Sequence, residues 1–151
     1  MKNSLPLLIF TGIVSASAFA ESPLITKLNH SGFTPPEYSR SEKCEVYSNR
    51  AVITRQIGVT GGHVTSTEVR NFKLQGAMKQ LLQNAANATL EEKENLLCDG
   101  PHTTVSAGST LLYATGGCGA PRKERQGAAA MQLRAIIDEF CPVTNRIGVA
   151  E

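Results

Sequence analysis

The residues of this chain with the clearest chemistry are its four cysteines, Cys44, Cys98, Cys118 and Cys141. None is spaced C-x-x-C, the spacing that zinc knuckles and thioredoxin-type redox sites use. The first 20 residues, discussed below, predict export, and an even number of cysteines in an exported chain favours disulfides over free thiols. We therefore predict two disulfides, and four cysteines allow three ways of pairing them.

A hairpin predicted over residues 102–115 favours one of these pairings. Strand-forming residues flank Ala107-Gly108-Ser109, which has the composition of a three-residue turn. Such a turn places position 98 opposite position 118, where a Cys98–Cys118 disulfide closes the open end of the hairpin. Cys44 and Cys141 then form the second bridge. Pro101 opposes this register, because proline cannot donate a hydrogen bond to the ladder.

The histidines and serines give little support for catalysis or metal binding. A hydrolytic triad needs a nucleophile beside a base, and no serine lies in a G-x-S-x-G motif. The three histidines lack a zinc-binding spacing such as H-E-x-x-H. We therefore predict no catalytic residue, no metal site and no cofactor. As an alternative, His102, which follows a turn and lies near Asp99 in sequence, is the best candidate for the base of a small exported hydrolase.

A basic segment before the last predicted helix is the best candidate for a binding surface. Residues 116–125 combine three glycines, a proline and the expected disulfide anchor Cys118 with Arg122, Lys123 and Arg125. A loop that is held covalently on a rigid scaffold loses less entropy when it binds. The three basic side chains suit an acidic protein partner, which the sequence does not identify. The competing interpretation is a solvated charged turn, with Glu124 offsetting part of the charge.

The first 20 residues are typical of a cleaved secretory signal peptide. Lys2 supplies the positive start, residues 5–14 are mostly apolar, and Ala18-Phe19-Ala20 matches a small-residue cleavage pattern. The apolar stretch of about ten residues is too short for a bilayer, which needs about 20. We expect an exported, soluble product in a bacterial periplasm or outside the cell, with no stable membrane insertion after cleavage.

Composition limits the partners of the mature chain. Removing 20 of the 151 residues leaves 131, the length of one domain, with 14 Lys and Arg against 13 Asp and Glu. Affinity for nucleic acid comes largely from neutralised phosphates, so a nearly neutral chain predicts no nucleic-acid partner.

The residue pattern of the mature chain alternates between strand and helix periods. Residues 21–43 contain three prolines and no sustained period, and we expect a mobile or loosely docked arm ahead of a single domain over 44–151. Thr89 and Glu92 resemble a capping box that begins a short helix. The predicted elements are a hairpin over 44–54, a strand over 63–72, a helix over 74–85, a short helix over 89–97, a hairpin over 102–115 and a helix over 128–140.

These elements predict an α+β domain. We expect a small antiparallel sheet of two hairpins plus a further strand, with two to three helices packed on one face and two disulfides. The lack of catalytic groups and the pinned basic loop favour a non-enzymatic binding domain, of the kind found among inhibitors and envelope adaptors. The alternatives are the hydrolase that uses His102 and a structural component of the cell envelope.

Overall fold

The computed structural model describes residues 21–73, 76–95, 100–117 and 119–142. In this part of the chain, eight strands form one antiparallel sheet and two α-helices pack on it. The α+β class is therefore confirmed, with more strands than predicted. The elements are β1 (Ile25–His30), a 3-10 turn η1 (Pro36–Tyr38), β2 (Arg40–Val46), β3 (Arg50–Val59), β4 (Gly62–Asn71), α1 (Ala77–Asn87), β5 (Leu90–Lys93), β6 (His102–Ala107), β7 (Thr110–Ala114), β8 (Arg122–Arg125) and α2 (Ala128–Phe140).

The strand order of the sheet is β4-β3-β2-β1-β6-β7-β8-β5. β1 lies in the middle, paired with β2 on one side and β6 on the other. The prediction of a loosely docked arm over 21–43 is therefore wrong. The prolines of this segment flank β1 without interrupting it, and Lys27, which is buried, hides the apolar alternation that would have predicted a strand.

Two predicted hairpins are present, but one has a different register. β2 and β3 form the predicted hairpin and are joined through residues 47–49. The turn between β6 and β7 consists of Gly108 and Ser109 alone, because Ala107 faces Thr110. The register of this hairpin also shifts by one residue between Val105 and Ser106. The three-residue turn used to pair Cys98 with Cys118 is thus wrong. Both of these cysteines lie outside the described residues, and so does the predicted signal peptide over 1–20.

The helical predictions are confirmed for α1 and α2, and the short helix predicted over 89–97 is wrong in its first half. Leu90–Lys93 is the edge strand β5, which pairs antiparallel with β8. The capping-box residues are present, yet ladder hydrogen bonds to β8 override this local helix signal, as tertiary context often does. Within the described residues, neither helix is long and apolar enough to cross a membrane.

The core lies between one face of the sheet and the two helices. Alternate residues of the central strands point to this face, and Leu133 and Ile137 of α2 and Ala85 of α1 cover them. Phe72, just after β4, stacks on Phe140 at the end of α2 with ring centroids 4.3 Å apart. The buried sheet residues are Ile25, Cys44, Val46, Ala51, Ile53, Val105, Leu112 and Tyr113.

The end of α2 is fastened to the two central strands by a disulfide and a buried lysine. Cys44 of β2 is bonded to Cys141, which confirms this predicted pair. Its cross-strand neighbour Lys27 is 3% exposed and donates to the Asp138 carboxylate at 2.6 Å and to the carbonyl of Cys141 at 2.9 Å. A cation at the carbonyl end of a helix is favourable, so the burial of this ammonium is compensated.

We expect the Cys44→Ala/Cys141→Ala double variant to lose about 3–4 kcal/mol of unfolding free energy, because the bridge closes a long loop of the unfolded chain. Denaturant unfolding measures this loss. The slope of the unfolding free energy against denaturant concentration should also become steeper, because the denatured chain without the bridge is more expanded. Val46→Ala, a matched truncation in β2, should lower the midpoint without changing that slope. Equal slopes in the double variant and wild type would contradict a role through the unfolded state.

Candidate binding surface

The basic residues predicted to line a displayed loop lie in a strand. Arg122, Lys123 and Arg125 belong to β8, which is held between β7 and β5. All three are only partly exposed. The expectation of a loop over 116–125 is therefore wrong for its second half, because the alternating charges of this segment suit a strand with partners on both sides.

Glu124 organises the charges of β8 within the fold. Its carboxylate accepts hydrogen bonds from Arg122 at 2.7 Å and from Arg134 of α2 at 2.5 Å. The Arg134 guanidinium lies 3.9 Å from the centre of the Tyr113 ring, and that of Arg122 lies 5.4 Å from it. This cluster ties β8 to β7 and α2, so part of its positive charge is neutralised within the fold.

The other two basic side chains also contact their own chain. Lys123 forms an ion pair of 2.6 Å with Glu92 of β5. Arg125 donates to the backbone carbonyls of Leu111 and Ala88 and so closes the end of the sheet. Recognition of an acidic partner by these residues stays a prediction, and it would have to compete with these contacts.

His102 is half-buried at the start of β6. Its Nδ1 lies 2.6 Å from the carbonyl oxygen of Gly116. Because a carbonyl only accepts, Nδ1 carries the proton in this contact, and in the neutral ring the lone pair is then on Nε2. A side chain at Gly117 would come within 3.1 Å of the ring, so the glycine lets the loop approach the histidine. Asp99, the proposed acid partner of His102, lies outside the described residues.

A different feature, which sequence reasoning missed, is the loop that joins β1 to β2, here called the β1–β2 loop (residues 31–39). Phe33 in this loop is 93% exposed, the highest value among the large apolar side chains of the described residues. Tyr38 at the other end of the loop is 67% exposed. The prolines and short polar residues of this segment are typical of an unstructured terminus, so its composition does not predict an ordered loop.

Hydrogen bonds fix the first half of the β1–β2 loop. Ser31 donates its backbone N–H to the carbonyl of Arg40, and its Oγ accepts from the Arg40 N–H at 3.0 Å. The same Oγ lies 3.0 Å from the hydroxyl of Thr34. Gly32 has a φ of 85°, which glycine adopts at low cost. These contacts set the backbone on both sides of Phe33.

The second half of the loop is seated on β3. Pro35 and Pro36 restrict the backbone and lead into η1, where Tyr38 donates to the carbonyl of Pro35. Gly58 of β3 donates its N–H to the Ser39 carbonyl at 2.7 Å. A Cβ at Gly58 would lie 1.8 Å from the carbonyl oxygen of Pro36, so only glycine permits this close approach.

The β1–β2 loop therefore displays an aromatic ring on a backbone whose conformation is already set. Aromatic side chains that insert into a pocket of a partner supply much of the binding energy at protein interfaces. A preformed loop also loses less conformational entropy on binding. Phe33 thus has the properties of an anchor for a protein partner with an apolar pocket.

We expect Gly58→Ala to detach η1 from β3, because the added methyl group overlaps the Pro36 carbonyl. Hydrogen exchange at the Tyr38 and Ser39 amides should accelerate by about tenfold or more, since their protection depends on the seated turn. Gly62→Ala, on the neighbouring strand in open space, is the matched control and should leave both rates unchanged. Unchanged exchange in Gly58→Ala would show that the seat is not required.

The two candidate surfaces thus differ in what they leave free for a partner. The basic side chains of β8 already have partners within the fold, whereas the ring of Phe33 meets solvent on nearly all sides. No protein-family model, no curated protein and no solved structure matches this chain.

Proposed function

We propose that this protein is an exported binding domain that inserts Phe33 of the β1–β2 loop into an apolar pocket of a protein partner. The observation that carries the proposal is the exposure of this ring on a loop held by hydrogen bonds at both ends. This proposal keeps the functional class predicted from the sequence. It moves the binding surface from β8 to the β1–β2 loop.

The chemistry of the loop indicates the chemistry of the partner. Between Ser31 and Ser39, Glu37 is the one charged residue, and the other side chains are small, hydroxyl-bearing, proline or aromatic. A phenyl ring buries roughly 150–250 Å² when fully enclosed. The favoured partner surface is therefore an apolar pocket with polar groups at its rim, and not the acidic surface predicted for β8.

Export is supported by the covalent chemistry of the fold. The Cys44–Cys141 disulfide fastens the last helix to the sheet, and such bridges persist in oxidising compartments. The signal-like residues at 1–20 point in the same direction. A partner met outside the cytoplasm, in the periplasm or the medium, follows from this location.

We expect Phe33→Ala to weaken capture of the partner strongly. Immobilised wild-type protein, Phe33→Ala and Met131→Ala are each incubated with the exported fraction of the cells that make the protein. Met131, on α2 and 66% exposed, is the matched control for loss of an exposed apolar side chain. Wild type and Met131→Ala should retain the same stoichiometric protein, and Phe33→Ala should bind it about 30-fold more weakly or worse.

The outcomes of this capture separate the proposed binding site from the other readings. A partner retained equally by Phe33→Ala would move the site away from the β1–β2 loop. If Arg122→Ala, Lys123→Ala and Arg125→Ala then reduced capture, the surface predicted from the sequence would be the correct one. Retention of envelope fragments alone would favour the structural alternative.

The hydrolase alternative rests on His102. In the neutral ring, the contact between Nδ1 and the Gly116 carbonyl leaves Nε2 as the acceptor that a general base needs. Asp99 lies outside the described residues. The same hydrogen bond is explained equally well by a structural role, in which His102 holds the loop at Gly116. The binding reading is therefore the one we adopt.

A further inference from the structure

The two edges of the sheet are built very differently. β5 is a four-residue edge strand whose sequence, Leu-Glu-Glu-Lys, carries three charges. At the other edge, β4 runs for ten residues, and its residues are exposed or half-exposed throughout. Short charged edges resist further strand pairing, whereas long regular ones invite it. β4 is therefore the edge that needs an explanation.

Alternate residues of β4 offer their backbone groups to solvent. Phe72 donates its N–H to the carbonyl of Asn49, so the even-numbered positions of this strand point to β3. Hydrogen bonding alternates along an antiparallel strand. The N–H and C=O groups of the odd positions consequently face outward, away from β3. These positions are His63, Thr65, Thr67, Val69 and Asn71.

Nothing in the sequence of β4 blocks another strand. Its register against β3 is unbroken from Arg50–Asn71 to Val59–Gly62, so no bulge turns the edge away. The strand contains no proline and no lysine, and it is rich in threonine and valine, which favour strands. Native edges are usually protected by at least one of these devices.

The charged side chains Glu68 and Arg70 of β4 already have ion-pair partners within the sheet. Glu68 accepts hydrogen bonds from Arg70 at 2.6 Å and from Arg55 of β3 at 2.8 Å, and these bonds hold the pKa of Glu68 below its ordinary value. Arg55 also binds Glu42 of β2. This row of paired charges lies on the helix side of the sheet, so it neither covers the outward backbone groups nor repels an incoming neutral strand.

We propose that two copies of this chain pair antiparallel through their β4 strands and form one continuous sheet. Residues that lie opposite each other in an antiparallel pair share a face of the sheet. When the two strands are related by a two-fold axis perpendicular to the sheet, one residue of β4 must therefore lie opposite its own copy. Centring the axis on Ser66 or Thr67 gives the longest overlap and places no like charges opposite each other. With Ser66, Thr65 faces Thr67 of the second copy; with Thr67, Thr65 faces Val69.

This self-complementarity is the reason for choosing a second copy as the occupant over an unrelated extended peptide. An axis through Glu68 would set two carboxylates opposite each other, so the strand also discriminates between registers. The pairing does not use Phe33 and does not depend on the function proposed for the β1–β2 loop.

The test removes one outward hydrogen-bond donor and leaves the β3 ladder intact. Proline fits an edge strand when its nitrogen faces solvent, and Thr67 meets that condition. Sedimentation velocity of the purified, disulfide-bonded protein should give a concentration-dependent dimer. Thr67→Pro should raise the dissociation constant of this dimer about tenfold or more, whereas Thr67→Ala, which keeps the N–H, should change it far less.

A monomer at all concentrations in the wild-type protein would overturn the proposal, and so would a Thr67→Pro dimer as tight as wild type. Circular dichroism checks that Thr67→Pro is folded. If it is not, Thr67→Lys provides the second variant, because it sets two ammonium groups near the axis. Its dimer should be weakened and should recover as salt is added; a weakening that salt does not relieve would also count against pairing through β4.

Discussion

The attachment of α2 to β1 and β2 is the constraint on which the rest of the structure depends. Lys27 and Cys44 face each other across these strands, and both reach the same turn at the end of the helix. The disulfide fixes the distance between helix and sheet, while the ammonium group compensates the helix carbonyls. With α2 placed, Leu133 and Ile137 cover the middle of the sheet and Arg134 reaches Glu124 of β8.

The same attachment explains why the candidate surfaces lie at the periphery. The helices cover the buried centre of one face, whereas most residues of the β1–β2 loop and of β4 are exposed. The β1–β2 loop sits on β3 through Gly58, on the face of the sheet away from the helices, and displays Phe33. β4 extends beyond the core and has one strand neighbour in the described part of the chain. A rigid centre with exposed features at its margins suits a scaffold for binding.

Sequence reasoning identified the elements whose residue pattern is locally consistent. The β2–β3 hairpin, α1 and α2 follow from strand or helix periods, and the Cys44–Cys141 pair came from the pairing argument, although the turn that supported it has a different length. β1 was missed because Lys27 interrupts its apolar alternation, and its burial depends on a carboxylate 111 residues away. β5 was missed because pairing with β8 overrides a local helix signal. Phe33 was missed because exposure is a property of the fold.

The disulfide also divides the molecule covalently. Cys44 and Cys141 are separated by 97 positions, and all strands from β3 onward lie between them. A backbone cut at the β3–β4 turn leaves one covalent molecule, because both new ends remain inside the closed ring. A cut in the β1–β2 loop falls outside that ring and leaves β1 attached through hydrogen bonds and its buried side chains alone. The loop that displays Phe33 is thus the point at which a single peptide-bond cleavage can release the central strand.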